Sequence, residues 1–306
     1  MATTIPGLHH VTAISGPAQE NVDFYTGTLK QRLVKKTVNF DAPDTYHLYY
    51  GNHDAEPGTI LTFFPFADAG PGRAGAGMAA AYAYAVPNGA FDGWMEDLAE
   101  NAVDFLGPKE RFGDRVILLR DLDGAPVELI ETDRVADAPL DGFHSVTLWE
   151  DDIAPTARLL TDHFGWQEVG HETVDGVERL RLRAPGEARG AVVDIMRSDT
   201  PSIGRQGAGT IHHVAFRAKD DAEQLDWQEK LQTAGFGVTE VRDRQYFNAI
   251  YFREPGGVLF EIATDPPGFA VDEDAAHLGE ALKLPPQYEG IRDRLERVLP
   301  PLKVAR

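Results

Sequence analysis

The residues best suited to chemistry are two histidine pairs, His9-His10 and His212-His213. Each sits in an apolar run, Leu8 to Thr12 and Ile211 to Ala215, of the kind that forms a buried strand. Glu261 closes a third such run, Gly257 to Glu261. One histidine from each pair together with Glu261 gives two imidazoles and one carboxylate around a point. That is the donor set of non-haem Fe(II) centres, which leaves coordination positions open for a chelating ligand and dioxygen. The chain has no cysteine, so disulfides, iron–sulfur clusters, thiolate zinc and thiol nucleophiles are excluded. Any metal must be held by His, Asp or Glu.

Internal repeats indicate which elements bring these residues together. Leu8-His9-His10-Val11-Thr12 returns as Phe143-His144-Ser145-Val146-Thr147 and as Ile211-His212-His213-Val214-Ala215. A glycine turn feeding a strand recurs as Gly58 to Thr62, Gly124 to Glu128, Gly190 to Asp194 and Gly257 to Glu261, with successive spacings of 66, 66 and 67. The period predicts four modules, at about 5–66, 78–132, 142–198 and 209–264. In each, apolar residues at helical spacing follow the first strand: Val22, Tyr25 and Leu29; Phe91, Trp94 and Leu98; Ala157, Leu160 and Phe164; Trp227, Leu231 and Ala234. Gly165 and Gly235 directly follow two of these helices, where a left-handed residue is expected.

Each module thus reads strand, helix, then three strands. The fold class is α+β: four βαβββ modules forming two paired domains with cupped mixed sheets, 1–140 and 141–265, followed by a tail, 266–306. Ile291, Leu295 and Leu299 predict one amphipathic helix in the tail. Turn-rich linkers are expected at 67–77, 133–142 and 199–209. The glycine-rich stretch 72–77 has no Lys-Ser or Lys-Thr and precedes a strand, so it is read as linker and not as a phosphate loop.

Differences between the modules sort the histidines. In module three the first histidine survives as His144, the second has become Ser145, and module two shows no complementary pair. A ligand disappears with its site, so His10 and His213 are the expected ligands, and His9 and His212 become supporting or acid–base residues. Module one carries Thr62 where the others have Glu128, Asp194 and Glu261, which avoids a fourth ligand and keeps a coordination position open. Glu128, Asp194 and Ser145 are given a structural role. His47, His53, His163, His171 and His277 have no such partner and are read as surface or packing residues.

Composition narrows the field further. With 29 basic against 49 acidic side chains the net charge is −20, the wrong sign for a nucleic-acid partner. A hydrophobic share of 42% and a charged share of 25% belong to a globular protein. No run approaches the roughly 18 consecutive apolar residues of a membrane span. The start, MATTIPGLHH, lacks a basic leader and an apolar signal core. A cytoplasmic protein without a membrane or nucleic-acid partner is expected, as a homo-oligomer.

The motifs resemble the vicinal oxygen chelate superfamily, which also contains glyoxalases and bleomycin resistance proteins. Within it they are most similar to the hydroquinone-type ring-cleaving dioxygenases. The likeness is carried by LHHVT at 8–12, YHLYYG at 46–51, PGTILTFFPF at 57–66, AYAVP at 83–87, RFG at 111–113 and GFHS at 142–145. It continues through IHHVAF at 211–216, YFREPGGVLFEIAT at 251–264 and, in the tail, DEDAAHLGEALKLPPQ at 272–287. It implies paired vicinal-oxygen-chelate domains, with Fe(II), or Mn(II) in its place, held by His10, His213 and Glu261. It also implies a surrounding set of His9, Thr12, His212, Arg244 and Tyr251. Thr12 lies two residues beyond His10, hence on the same strand face.

The activity so implied is extradiol-type cleavage of a dihydroxylated aromatic ring, a small diol such as a substituted hydroquinone, by insertion of dioxygen. A glyoxalase-like metal-dependent isomerase or lyase is the first alternative, and Thr62 and the two-histidine count argue against it. A non-catalytic binding protein of the resistance type is the second, and it should have lost the ligands that this chain keeps.

Overall fold

The computed structural model describes residues 4–133, 139–200 and 202–304. All four expected modules are present. Module one runs β1 (Leu8–Ser15), α1 (Ala18–Val22), β2 (Arg32–Asn39), β3 (Ala42–Gly51) and β4 (Ile60–Pro65). Module two runs β5 (Met78–Pro87), α2 (Phe91–Glu100), β6 (Phe105–Arg111), β7 (Asp114–Arg120) and β8 (Pro126–Thr132). Module three has β9 (Phe143–Trp149), α3 (Ile153–Arg158), β10 (Gln167–Val174), β11 (Val177–Arg183) and β12 (Val192–Ser198). Module four has β13 (Thr210–Ala218), α4 (Asp221–Thr233), β14 (Arg242–Asp243), β15 (Phe247–Arg253) and β16 (Leu259–Pro267).

The helices bury the residues their spacing selects except Ala234, which follows the end of α4 and is exposed. Val22, Tyr25, Leu29, Trp94, Leu98, Leu160, Phe164, Trp227 and Leu231 all lie in one core beneath the sheets. Helices α1 and α3 continue as π-helical turns, Asp23–Thr28 and Leu159–His163, which a 3.6-residue period does not reveal. Asp152 and Asp220 cap α3 and α4 by accepting backbone N–H bonds. Gly165 and Gly235 both adopt positive φ, at 77° and 93°.

Two eight-stranded sheets result, in the orders β14-β15-β16-β13-β1-β4-β3-β2 and β10-β11-β12-β9-β5-β8-β7-β6. The first sheet joins modules four and one, and the second joins three and two. Strand β1 runs antiparallel to β13, with Val11 opposite Val214 and Thr12 opposite His213. Parallel partners flank this pair: β4 brings Thr62 beside Thr12, and β16 brings Glu261 beside Ala215. Both histidine pairs and Glu261 therefore sit on the three central strands of one sheet.

The expected linkers 67–77 and 199–209 run against each other, bridged at Pro71–Ala208, Arg73–Arg205 and Ala76–Ile203. A Cβ on Gly75 would lie 2.3 Å from the Gly204 nitrogen, so close backbone approach explains the glycine-rich stretch. Part of the third linker, 134–138, lies outside the described residues. The tail forms α5 (Pro286–Glu289) and α6 (Arg292–Val298) and packs on module one. Leu295 and Leu299 are buried as expected, whereas Ile291 precedes the helix and stays partly exposed. Lys35, fully buried on β2, binds Asp272 and Glu273 of the tail at 2.6 and 2.5 Å. Tyr288 and Tyr46 add hydroxyl bonds to the carbonyls of Phe40 and Pro300.

Candidate metal centre

The register of β1, β13 and β16 brings His10, His213 and Glu261 together. The three offer one ligand atom each, all within 4.8 Å of one another, and all three residues are buried. His10 Nε2 is 3.3 Å from His213 Nε2, and these nitrogens lie 3.5 and 2.9 Å from Glu261 Oε2. The Glu261 carboxylate is fully buried and faces the imidazoles of His10 and His213, with His213 Nε2 at hydrogen-bond distance. A buried ionised group needs compensation, and three ligand atoms converging on one point are what a cation would satisfy. The residues present fit a divalent metal. Burial pushes the Glu261 carboxyl up, but the imidazoles of His10 and His213 outweigh it and hold the group below the usual carboxylate range.

Each ligand histidine is tied to the residue before it. His9 Nδ1 lies 2.9 Å from His10 Nδ1, and His212 Nδ1 lies 2.8 Å from His213 Nδ1. A proton on Nδ1 of each ligand, donated to its neighbour, leaves the Nε2 lone pairs free to coordinate. Simple strand alternation would send His9 to the opposite face. A register irregularity between Leu8 and His10 kinks β1 and keeps the two rings in contact. His9 also bonds the Thr264 backbone, and burial together with His10 keeps it well below the ordinary imidazole value. It stands behind His10, away from the cavity.

Above the triad opens a cavity of about 600 Å³ whose walls include Phe64, Phe247, His212, Arg244 and Tyr251. His212 is pushed down to about 4, chiefly by burial and then by His213, so at neutral pH it is an uncharged imidazole facing the cavity. Arg244 Nε donates to the Tyr251 hydroxyl at 3.2 Å, and its guanidinium reaches Asp41 at 3.3 Å. Burial and Glu261 raise the Tyr251 phenol well above its ordinary value, so it stays protonated. Thr12 is buried below the cavity, its hydroxyl 2.8 Å from that of Thr62. Thr62 stands where a fourth carboxylate would stand and offers only this hydroxyl.

The sequence reading of His47 as a surface or packing residue is corrected here. His47 lines the cavity, its Nε2 lies 2.8 Å from Thr62 Oγ1, and its Nδ1 lies 2.8 Å from the Tyr49 hydroxyl. The missed signal was the i, i+2 pair His47 and Tyr49 on β3, which places both side chains on the cupped face. His53, His171 and His277 are exposed, each beside a carboxylate.

The second sheet holds the equivalent positions without the ligands. Register places Ser145 where the first sheet has His10, Ala81 where it has His213, Glu128 for Glu261 and Asp194 for Thr62. Arg111 binds Glu128 bidentately at 2.6 and 2.8 Å, and Arg181 binds Asp194 at 2.7 and 2.9 Å. Guanidinium groups thus neutralise the two carboxylates that remain.

Comparison with known proteins agrees with this geometry. The model of the Glyoxalase/Bleomycin resistance protein/Dioxygenase superfamily matches residues 7–129 and 142–262. The chain is 46% identical to "Putative ring-cleaving dioxygenase MhqO" of Bacillus subtilis, over 99% of both chains. It is 37% identical to the chlorohydroquinone/hydroquinone 1,2-dioxygenase of Sphingobium indicum, over 96% of both. A crystal structure of a Bacillus subtilis protein with 46% identity matches 99% of both chains at a TM-score of 0.92. Glyoxalase I from Zea mays, 16% identical, shares the fold at a TM-score of 0.62 over 85% of this chain and 92% of its own.

Proposed function

The chain belongs to the Glyoxalase/Bleomycin resistance protein/Dioxygenase superfamily and is a ring-cleaving dioxygenase; we propose that it cleaves a hydroquinone with Fe(II) held by His10, His213 and Glu261. The single observation that supports the metal assignment is the convergence of the buried Glu261 carboxylate and two imidazole nitrogens, one ligand atom each, within 4.8 Å of one another. His10, His213 and Glu261 would hold the metal, and Fe(II) there would supply the redox chemistry that lets dioxygen react with an ionised diol.

The protein's own groups do the rest. His9 and His212 hold the ligand rings in the tautomer that coordinates. Tyr251, kept protonated and oriented by Arg244, presents a donor to charge developing on oxygen. Neutral His212, on the cavity wall, accepts from His213 at Nδ1 and so carries its proton on Nε2, where it can donate to the substrate or to oxygen. Thr12 acts through Thr62, fixing the position that a fourth ligand would otherwise occupy. Apolar walls such as Phe64 and Phe247 suit a neutral aromatic ring, and Arg244 offsets the acidic surface near the site.

The test is oxygen uptake and ultraviolet absorption after anaerobic loading with Fe(II), for hydroquinone, methylhydroquinone, chlorohydroquinone and catechol in parallel. Para-diols should consume one dioxygen per ring and yield a ring-opened chromophore. Iron binding with no oxygen uptake on any diol would overturn the assignment, and uptake with catechol alone would overturn the substrate class.

A further inference from the structure

Both modules of the first sheet place a tyrosine at the same position of the repeat. Tyr251 pairs with Glu261 across β15 and β16, and Tyr49 pairs with Thr62 across β3 and β4. Because Thr62 occupies the place in module one that Glu261 occupies in module four, the two phenols are repeat mates on opposite sides of the metal centre. Both line the cavity. Each phenol oxygen is held by nitrogen, Tyr251 by Arg244 Nε at 3.2 Å and Tyr49 by His47 Nδ1 at 2.8 Å.

These nitrogens differ in what they can do. Arginine only donates, so Tyr251 keeps its own proton to give. A neutral imidazole has one donor and one acceptor nitrogen. Burial pushes His47 well below the ordinary imidazole value, and His10 and His213 act in the same direction, so it is neutral. In the tautomer that donates Nε2–H to Thr62, Nδ1 is the acceptor for the phenolic proton of Tyr49, 2.8 Å away, which leaves a lone pair of the phenol oxygen for the cavity. The His47 ring is fixed between Tyr49 and Phe64, with centroids 4.0 and 4.4 Å away.

We propose that Tyr49, oriented by His47, accepts a hydrogen bond from the second, un-ionised hydroxyl of the diol, while Tyr251 on the other wall donates to the ionised oxygen. This rests on the ring-cleaving function above and deepens it. Tyr49 becomes a residue that contacts substrate and His47 the residue that positions it. Together they select rings whose second substituent carries an O–H.

The experiment measures anaerobic binding of hydroquinone and of its monomethyl ether, 4-methoxyphenol, to the Fe(II)-loaded protein by calorimetry. The ether keeps the acceptor oxygen and lacks the proton. Tyr49→Phe should weaken hydroquinone about tenfold, as loss of one hydrogen bond does, and leave the ether unchanged. His47→Phe should repeat that pattern, and His47→Gln, whose amide oxygen can accept from Tyr49, should restore most of the affinity. Iron content equal to wild type in each variant shows that the centre is intact. Equal weakening of both ligands, or no weakening of either, overturns the proposal. A wild-type protein that consumes oxygen with hydroquinone while Tyr49→Phe keeps its preference defeats this proposal alone. Absence of oxygen uptake with every diol defeats the dioxygenase assignment instead.

Discussion

Glu261 is the residue on which the candidate centre depends, since its carboxylate is fully buried and is held ionised by the two imidazoles it faces. Glu261→Gln should remove metal binding while leaving the fold in place. Wild-type protein should gain about 3 kcal/mol of stability at a hundredfold excess of Fe(II) over Kd, and the variant none. Thermal unfolding with and without Fe(II) checks this; an iron-dependent shift equal to wild type would remove Glu261 from the ligand set. That His10, His213 and Glu261 come together was legible because two separate repeat series marked them. The cavity position of His47 was not, because it depends on β3 pairing with the strand of Thr62. The contact between His9 and His10 was equally hidden, since a kink in β1 overrides the alternation of strand faces.

At the scale of elements, one buried ion pair and one buried, protonated carboxyl stand at junctions between modules and tail. Lys35→Met would leave Asp272 and Glu273 without the cation that joins β2 to the tail, at a cost of about 3–5 kcal/mol. Chemical denaturation should show that loss, and proteolysis should cut first between β16 and α5. Glu150, at the end of β9, is buried against Gly256, where a Cβ would lie 1.7 Å from Oε2. Burial, with Glu254 nearby, raises its carboxyl from 4.5 to about 9. Its contribution to stability is therefore complete below the unfolded value and is lost as pH rises towards 9. Glu150→Gln should match wild type near pH 5 and exceed it by about 1–3 kcal/mol at pH 9, as denaturant melts at the two pH values would show. The module period and helix faces could be read from spacing alone. The π-helical turns and the tail's attachment could not, because the first leaves the apolar pattern intact and the second joins residues more than 230 positions apart.

For the whole molecule, fourfold repetition yields two cups of which one is fitted for a metal. The second keeps Glu128 and Asp194 but pairs each with an arginine, and has Ser145 and Ala81 in place of histidines. One iron per chain is expected, removable by a chelator with loss of oxygen uptake. Metal analysis giving two per chain would show that the arginine-filled cup also binds. Repeat spacing predicts four modules but says nothing about sheet order, and it is the pairing of module one with module four that unites the two histidine pairs. The most direct test is anomalous diffraction at the iron edge from crystals loaded anaerobically with Fe(II) and hydroquinone. One peak bonded to His10 Nε2, His213 Nε2 and Glu261, with the diol oxygen beside it, is the result predicted. A peak held by other residues, or none in crystals of protein that binds iron in solution, would contradict it.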